Sequence, residues 1–195
     1  MRYLIAFAGK RHSGKSTAVN IIARLLNEAR ISNFITALAE PIKLIGSMIA
    51  MDNINNWFDD SGKLEYVKTL NMTRREFLTR FGTDFMHEHN KNIWLEHLLN
   101  RINALKAKVI IIEDLRMIHE YKYIKNINAH TNQQFKVLII KMEGNPAGFE
   151  DVNSTHASET EVDSLNADYT INTDITDRPS MIYKLKELLT IEEIL

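Results

Sequence analysis

A nine-residue segment near the amino terminus has the residue types and spacing needed to bind a phosphate chain. The segment reads Gly9-Lys10-Arg11-His12-Ser13-Gly14-Lys15-Ser16-Thr17 and fits the pattern G-x-x-x-x-G-K-[ST]. Its two glycines permit backbone conformations that are closed to other residues, and they let amide N–H groups approach phosphate oxygens. The alternative is an ordinary glycine-containing turn between a strand and a helix. The pattern favours a nucleoside triphosphate site to which all nine residues contribute.

The last three residues of this segment have separate expected roles. Lys15 should reach the β- and γ-phosphates, and the Ser16 hydroxyl should ligate Mg²⁺. Thr17 is expected to contact the α-phosphate. A helix that begins near Lys15 would direct its unpaired N–H groups and its positive dipole end at the same anion. The expected cofactors are therefore ATP and Mg²⁺, and Lys15 is a candidate catalytic residue.

Two carboxylates end an apolar run in the middle of the chain, Val109-Ile110-Ile111-Ile112-Glu113-Asp114. A carboxylate at the carboxyl end of a buried strand lies in the crevice where α/β sheets bind ligands. Asp114 or Glu113 could hold Mg²⁺, directly or through water, or bind an acceptor group; a solvated acid pair is the alternative. Arg116 could clamp a phosphate with two hydrogen bonds, unless it is a surface arginine at a helix start. We predict that Asp114 and Arg116 are catalytic and substrate-binding residues, and that Asp114 and Ser16 are metal ligands.

Phosphoryl transfer between two phosphates draws several negative charges together, so cations should surround the site. The candidate cations are Arg11, Lys15, Lys43, Arg75, Arg80 and Arg116. Arg75 and Arg80 lie five residues apart on one predicted helix, so they do not share a face of it. Lys43, Arg75 and Arg80 are predicted to bind substrate, with a solvated surface position as the alternative for each.

The elements that must position these residues form an alternating strand–helix pattern. Apolar runs typical of strands buried on both faces occupy residues 3–8, 34–38, 109–112 and 137–140, with a fainter run at 169–171. Amphipathic helices are predicted over residues 17–29 and from about residue 177 onward. Their predicted buried residues are Val19, Ile22, Ala23, Leu26, Ile182, Leu185, Leu188 and Leu189. The alternation predicts a three-layer α/β fold, with a parallel sheet of about five strands flanked by helices.

Two segments interrupt the alternation. Residues 40–106 are mostly helical by pattern, and residues 143–157 form a polar loop. A long loop in a compact domain is either a functional lid or disordered. We predict a single domain with an acceptor-binding helical region in 40–106, a lid in 143–157 and a core in residues 1–39, 107–142 and 158–195. Within the insertion, Trp57 and Phe58 are either ordinary packing residues or part of an acceptor pocket.

Composition excludes several classes of function. The 195 residues include 24 Lys and Arg against 25 Asp and Glu, for a net charge of −1, which argues against a general nucleic-acid binder. The absence of cysteine excludes disulfide scaffolds, thiolate zinc sites and cysteine nucleophiles. No apolar run approaches the ~18 residues of a membrane span. We expect a cytoplasmic protein (host cytoplasm if its source is viral), monomeric or homodimeric, whose partner is a small molecule rather than nucleic acid or membrane.

Several motifs together resemble the phage-type deoxynucleoside monophosphate kinases, a family of P-loop kinases. Besides residues 9–17, they are Ala39-Glu40-Pro41-Ile42-Lys43, Arg75-Glu76-Phe77-Leu78, Phe81-Gly82-Thr83-Asp84, Trp94, Asp114-Leu115-Arg116 with Glu120, His156-Ala157-Ser158-Glu159 and Ala167-Asp168-Tyr169-Thr170-Ile171-Asn172. Animal-type phosphomevalonate kinases share much of this layout. The segment Gly82-Thr83-Asp84 favours the nucleotide kinases.

This resemblance implies transfer of the ATP γ-phosphoryl group to a (deoxy)nucleoside monophosphate, which gives the diphosphate. It also implies that Lys43 and Arg75 face the acceptor phosphate. The alternatives are a phosphomevalonate-type kinase and a P-loop ATPase switch that is not a kinase. The large helical insertion and the acid-x-Arg strand end argue against the switch, because both suit a second phosphorylated substrate. The sequence contains no Asn-Lys-x-Asp motif, which argues against a GTPase.

One departure from this family concerns the lid. Small kinases of this type carry lid arginines that neutralise transition-state charge, whereas the present sequence has no arginine between Arg116 and Arg178. Lys141 borders the predicted lid, but lysine lacks the planar fork of arginine. Either Lys141 and Arg11 compensate for the missing arginines, or the lid here only excludes water. We predict Arg11 as a catalytic arginine supplied from within the phosphate-binding segment.

Overall fold

The structure is a computed structural model, and it describes residues 1–144, 160–172 and 177–195. The chain divides into two compact units, one formed by residues 1–37 with 99–195 and the other by residues 38–98. The predicted lid, apart from residues 143 and 144, and the motif at 156–159 lie outside the described residues.

In chain order, the strands are β1 (Arg2–Ala8), β2 (Asn33–Thr36), β3 (Tyr66–Val67), β4 (Met72–Thr73), β5 (Val109–Leu115), β6 (Phe135–Glu143) and β7 (Tyr169–Asn172). The helices are α1 (Lys15–Glu28), α2 (Glu40–Ala50), α3 (Asn55–Phe58), α4 (Arg74–Thr79), α5 (Met86–His89), α6 (Ile93–Ala104), α7 (Ile118–Lys125) and α8 (Arg178–Ile191). A π-helical turn at Arg80–Phe85 joins α4 to α5, and short 3-10 turns lie at Gly62–Leu64, Ile127–Ala129 and Glu161–Ser164.

A five-stranded parallel sheet forms the centre of the first unit. Its strand order is β2-β5-β1-β6-β7, and each neighbouring pair is parallel. Parallel strands need crossover connections. Helix α1 lies in the connection from β1 to β2, and α7 lies in the connection from β5 to β6. The predicted three-layer α/β fold with a parallel sheet is confirmed.

Burial of consecutive residues explains why the strands appear in the sequence as unbroken apolar runs. Every residue of β1 from Tyr3 to Ala8 is buried, and so are the first four residues of β5. On one face, Ile5, Phe7 and Ile111 pack with apolar side chains of α1 and α8 in a single core. The predicted buried residues of α1 are confirmed, while in α8 Met181 is fully buried and Ile182 only partly.

The strands of the sheet do not coincide with their apolar runs, and β5 and β6 differ most in length. β5 extends through Glu113 and Asp114 to Leu115, which pairs with Ala8 of β1. β6 spans 135–143, and β2 spans only 33–36. Backbone pairing with β1 extends β5 to Leu115, and pairing with β7 extends β6 to Glu143. The apolar runs end earlier because backbone pairing does not depend on side-chain polarity.

The second unit, residues 38–98, is mostly helical as predicted, but it also contains an antiparallel pair of two-residue strands, β3 and β4. The turn between them places Asn71 at a φ of 54°, a left-handed conformation that asparagine tolerates. An apolar core that includes Ile42, Trp57, Phe77 and Trp94 holds the unit together.

Within the described residues, no helix is both long enough and apolar enough to cross a membrane.

Candidate functional site

The segment between β1 and α1 forms a tight loop whose glycines are required by its geometry. Gly9 has a φ of 150°, and a Cβ at this position would lie 2.6 Å from the Ser13 hydroxyl oxygen and 2.7 Å from the Met142 carbonyl oxygen. Gly14 has a φ of 87° and caps the first turn of α1. Both backbone conformations are strained for residues with a side chain, so the sequence pattern and the loop geometry agree.

Lys15 is buried within this loop, with only 8% of its surface exposed. Its ammonium donates hydrogen bonds to the carbonyl oxygen of Gly9 at 2.7 Å and to that of Lys10. A third contact reaches the Ser13 hydroxyl at 3.3 Å. The loop therefore curves around the ammonium and places a positive charge at its centre.

The amino terminus of α1 has no side-chain cap, in contrast to those of α4 and α8. Thr73 and Glu76 form a capping box at α4, and Asp177 caps α8 with a side-chain oxygen. At α1 the cap residue is Gly14, which has no side chain, and the first turn contains no acidic residue. An uncapped helix start offers its N–H groups and positive dipole end to an external anion. This terminus fits a phosphate group.

The carboxyl end of β5 lies beside the loop, because Leu115 is paired with Ala8 and the loop begins at the next residue. Asp114 is the penultimate residue of β5, and Arg116 follows the strand directly. Both are partly buried. The sheet thus brings the predicted acid-x-Arg turn and the predicted phosphate loop to the same edge, at neighbouring strand ends.

Glu120 holds the turn that contains Arg116. Its carboxylate accepts hydrogen bonds from the backbone N–H groups of Arg116 and Met117, each at 2.9 Å. These contacts cap the amino terminus of α7 and fix the backbone at Arg116.

The protonation of Glu120 is perturbed by this environment. Burial raises the pKa of Glu120 to about 7, and the nearby negative charge of Asp114 acts in the same direction. The two backbone hydrogen bonds and the positive charge of Arg116 oppose this rise in the pKa. A carboxyl group that changes charge near neutral pH therefore lies beneath the acid-x-Arg turn.

The 3-10 turn at 161–164 joins three parts of this edge, and no sequence pattern predicts it. Asp163 forms an ion pair with Lys10 of the loop at 2.7 Å. Glu161 accepts a hydrogen bond from the N–H of Ile118 at 2.8 Å. Lys141 donates to the Asp163 carbonyl oxygen at 3.1 Å and pairs with a carboxylate at the end of β6. No local spacing signals these contacts, because they join residues far apart in the chain.

The motif that contains Asp168 has a structural role in the sheet. The Asp168 carboxylate accepts a hydrogen bond from the N–H of Ile139 at 2.7 Å and pairs with Lys125 at 2.7 Å. It therefore fastens the start of β7 to β6 and to α7.

The donor set that could hold a magnesium ion is small. Ser16 is exposed at the start of α1, and Asp114 is partly buried at the end of β5. Among the described residues there is no group of three or more histidines, cysteines or carboxylates that could hold a metal ion. One hydroxyl and one carboxylate suit Mg²⁺, which keeps several waters and takes further ligands from substrate phosphates.

Arg11 lies within the loop and is partly buried. Lys141, the other cation considered for the missing lid arginines, is the residue of β6 paired with Ala8, so it lies at the same sheet edge. Both cations therefore belong to the part of the first unit that carries the phosphate loop.

The remaining predicted substrate-binding residues belong to the second unit. Lys43 is buried on α2, Arg75 is partly buried on α4, and Arg80 is exposed at the start of the π-helical turn. Arg74, which directly precedes Arg75 on α4, is buried and pairs with Asp52 at 2.5 Å. The adjacent arginine, which the sequence analysis did not single out, is thus a structural ion-pair partner within this unit.

Comparison with known proteins identifies the fold. No protein-family model matches the sequence, and no curated protein matches it. Among solved structures, the chain is similar to shikimate kinase from Bacteroides thetaiotaomicron, with 14% identity, 98% of each chain covered and a TM-score of 0.51. It is also similar to TT1252 from Thermus thermophilus, with 13% identity, 98% of this chain and 97% of that chain covered, and a TM-score of 0.51. The chain has the three-layer α/β fold of the P-loop kinases.

Proposed function

We propose that the protein transfers the γ-phosphoryl group of ATP to a small phosphorylated acceptor, a (deoxy)nucleoside monophosphate, and so forms the diphosphate. The observation that carries this proposal is the burial of the Lys15 ammonium inside a glycine-bounded loop that opens onto the uncapped start of α1. This combination provides amide donors, a helix dipole and a fixed cation for a polyphosphate chain.

Phosphoryl transfer depends on positioning of the substrates and on charge neutralisation more than on covalent chemistry by the protein. Lys15 and the first-turn amides of α1 would hold the β- and γ-phosphates. Arg116, on a turn braced by Glu120, would bind a phosphate oxygen pair, and Arg11 would offset charge that develops during transfer. Bound Mg²⁺, held by Ser16 and Asp114, would supply further neutralisation of the phosphate oxygens.

The acceptor is assigned from Lys43, Arg75 and Arg80 in the second unit and from the motif resemblance described above. Lys43 is the most buried of these candidates, with 8% of its surface exposed. A phosphate group of the acceptor is the ligand that such a cation suits best.

A coupled assay of ADP formation tests this function. We expect ADP to form from ATP and Mg²⁺ when dTMP, dGMP or dCMP is added, and to form slowly without an acceptor. Stimulation by 5-phosphomevalonate instead would change the acceptor class, and ATP hydrolysis that no acceptor stimulates would favour a nucleotide-dependent switch.

A further inference from the structure

We propose that Glu161 and Asp163 are positioning residues that hold the phosphate loop and the start of α7 in the alignment that phosphoryl transfer requires. Both belong to the 3-10 turn Glu161–Ser164 (the acidic turn). This inference rests on the proposed function and adds to it two residues that need no contact with the reacting atoms. All the contacts that support it lie within the first unit.

The acidic turn has a fixed place on the first unit. Val162 is fully buried, and Leu165, which follows the turn, is also buried. The ammonium of Lys141 donates a hydrogen bond to the carbonyl oxygen of Asp163 at 3.1 Å. Because Lys141 is paired with Ala8 in the sheet, this bond attaches the turn to the edge at which the phosphate loop begins.

The side chain of Asp163 holds one residue of the phosphate loop. Its carboxylate forms an ion pair with the ammonium of Lys10 at 2.7 Å. The backbone carbonyl oxygen of Lys10 accepts a hydrogen bond from the ammonium of Lys15 and another from the N–H of Ser13, the latter at 3.2 Å. Through Lys10, Asp163 therefore restrains a backbone oxygen that places the candidate catalytic lysine.

The side chain of Glu161 holds the second segment of the site. It accepts a hydrogen bond at 2.8 Å from the N–H of Ile118, the first residue of α7. Glu120 accepts hydrogen bonds from the N–H groups of the two preceding residues, Arg116 and Met117. Carboxylates of the protein thus bind three consecutive N–H groups at the start of α7. These bonds fix the backbone from which the Arg116 side chain extends.

The acidic turn therefore connects two segments that must be aligned with each other. In the proposed reaction the phosphate loop holds the phosphates of ATP, and Arg116 binds a phosphate oxygen pair. A misplacement of about 1 Å between such groups can lower a rate on the order of 100-fold. Glu161 and Asp163 are two residues apart, so a short piece of backbone determines how their partners are spaced.

A surface charge without a positioning role would have different consequences. The side chains of Lys10 and Asp163 are 54% and 59% exposed, and exposed ion pairs contribute little to folding. A carboxylate beside a site for phosphates also repels them. If Asp163 were only a surface charge, its removal would strengthen ATP binding and leave turnover unchanged. Positioning predicts a loss of turnover instead.

Steady-state kinetics of Asp163→Ala and Glu161→Ala distinguish these cases. We expect kcat with dTMP to fall roughly tenfold in each variant, with a change of less than about twofold in the KM for ATP, because alignment matters most in the transition state. Asp163→Glu keeps the carboxylate and should recover most of the lost kcat. A lower KM for ATP with unchanged kcat in Asp163→Ala would overturn the inference.

Glu187→Ala is the matched control, because Glu187 is an exposed acid of the first unit that lies on α8. It should leave kcat and both KM values unchanged. The melting temperature of Asp163→Ala should stay within about 2 °C of that of the wild type, so that lower turnover does not reflect unfolding.

A double-mutant cycle tests whether Asp163 acts through Lys10. In a Lys10→Met background, Asp163→Ala should lower kcat by no more than about twofold, because the ion pair is already absent. Equal effects of Asp163→Ala in the wild-type and Lys10→Met backgrounds would contradict a role through this pair.

Amide hydrogen exchange tests the geometry without any turnover. Exchange at the N–H of Ile118 should be faster in Glu161→Ala than in the wild type, and exchange within residues 10–15 should be faster in Asp163→Ala. Wild-type exchange rates at these positions in both variants would overturn the inference, even in an enzyme that transfers phosphate. Absence of transfer from ATP to every monophosphate, by contrast, would refute the proposed function and with it the role of the acidic turn in catalysis.

Discussion

The side chains of the candidate site are held mainly by backbone groups. The carbonyl oxygens of Gly9 and Lys10 accept the hydrogen bonds of Lys15, and the N–H groups of Arg116 and Met117 are bound by a single carboxylate. A side chain that bonds to backbone groups is held in place with few contributions from other side chains. The charges in this region are therefore positioned by the local course of the chain.

The Glu120 carboxyl group should make stability depend on pH near neutrality. Its pKa is raised to about 7 in the folded protein, so the folded state retains a proton that the unfolded state loses at lower pH. Stability should fall as the pH rises from about 5 to 8. Glu120→Gln keeps an acceptor oxygen but does not titrate. The free energy of unfolding of this variant, relative to that of the wild type, should therefore increase with pH, by at most about 3 kcal/mol. Urea unfolding at several pH values measures this difference.

Glu76 provides the control, because its pKa is shifted in the opposite direction to that of Glu120. Hydrogen bonds from the backbone and side chain of Thr73 lower the pKa of Glu76, so its contribution to stability is present at neutral pH and is lost as the pH falls. Glu76→Gln should differ from the wild type least at acidic pH, below about 4. If the unfolding curves of Glu120→Gln and the wild type kept a constant separation from pH 5 to 8, the account of Glu120 would be refuted.

At the scale of residues, the local part of the site could be predicted and the long-range part could not. Gly9, Gly14 and Lys15 are recognisable because the loop is contiguous and each residue type has a geometric reason. No sequence pattern signals Glu161 or Asp163, because the partners of their side chains lie more than 40 residues away, in the loop and at the start of α7. Side-chain contacts of this kind follow from the assembled sheet.

At the scale of elements, strands buried on both faces were the most predictable part of the fold. Burial on both faces requires apolar residues at every position, and this makes β1, β5 and β6 stand out. The two-residue strands β3 and β4 are too short to show a pattern, and the π-helical turn at 80–85 shares its residue types with an α-helix. The second unit was therefore correctly predicted to be largely helical, but without these details.

The packing of α3 on α2 should depend on Gly46. In Gly46→Ala the added methyl group would overlap with the fully buried indole of Trp57. We expect a net destabilisation of about 1–3 kcal/mol from overpacking, although alanine is the better helix former. Chemical denaturation followed by tryptophan fluorescence measures this effect.

Met48→Ala is the matched control for this substitution, because Met48 lies on the same helix with 77% of its surface exposed. It should change the free energy of unfolding by no more than about 0.5 kcal/mol. A Gly46→Ala protein as stable as the wild type would show that α3 does not pack on α2 in this way.

At the scale of the whole molecule, the parallel sheet explains why distant segments supply one site. β1 lies between β5 and β6, so the loop after β1, the acid-x-Arg turn after β5 and the end of β6 share one edge. This arrangement follows from the fold, which many P-loop kinases have in common. A fold alone does not determine a substrate, so the proposed acceptor rests on the motif resemblance and on candidate side chains rather than on the sheet.

The affinity for ATP in wild-type and Lys15→Ala proteins tests the central claim most directly. Lys186→Ala, which removes an exposed lysine of α8, controls for the loss of charge, and circular dichroism verifies folding. The account predicts ATP·Mg²⁺ binding by calorimetry to the wild type and to Lys186→Ala, and a loss on the order of 100-fold in phosphoryl transfer for Lys15→Ala, with much weaker binding. Wild-type affinity and turnover in a folded Lys15→Ala protein would contradict it.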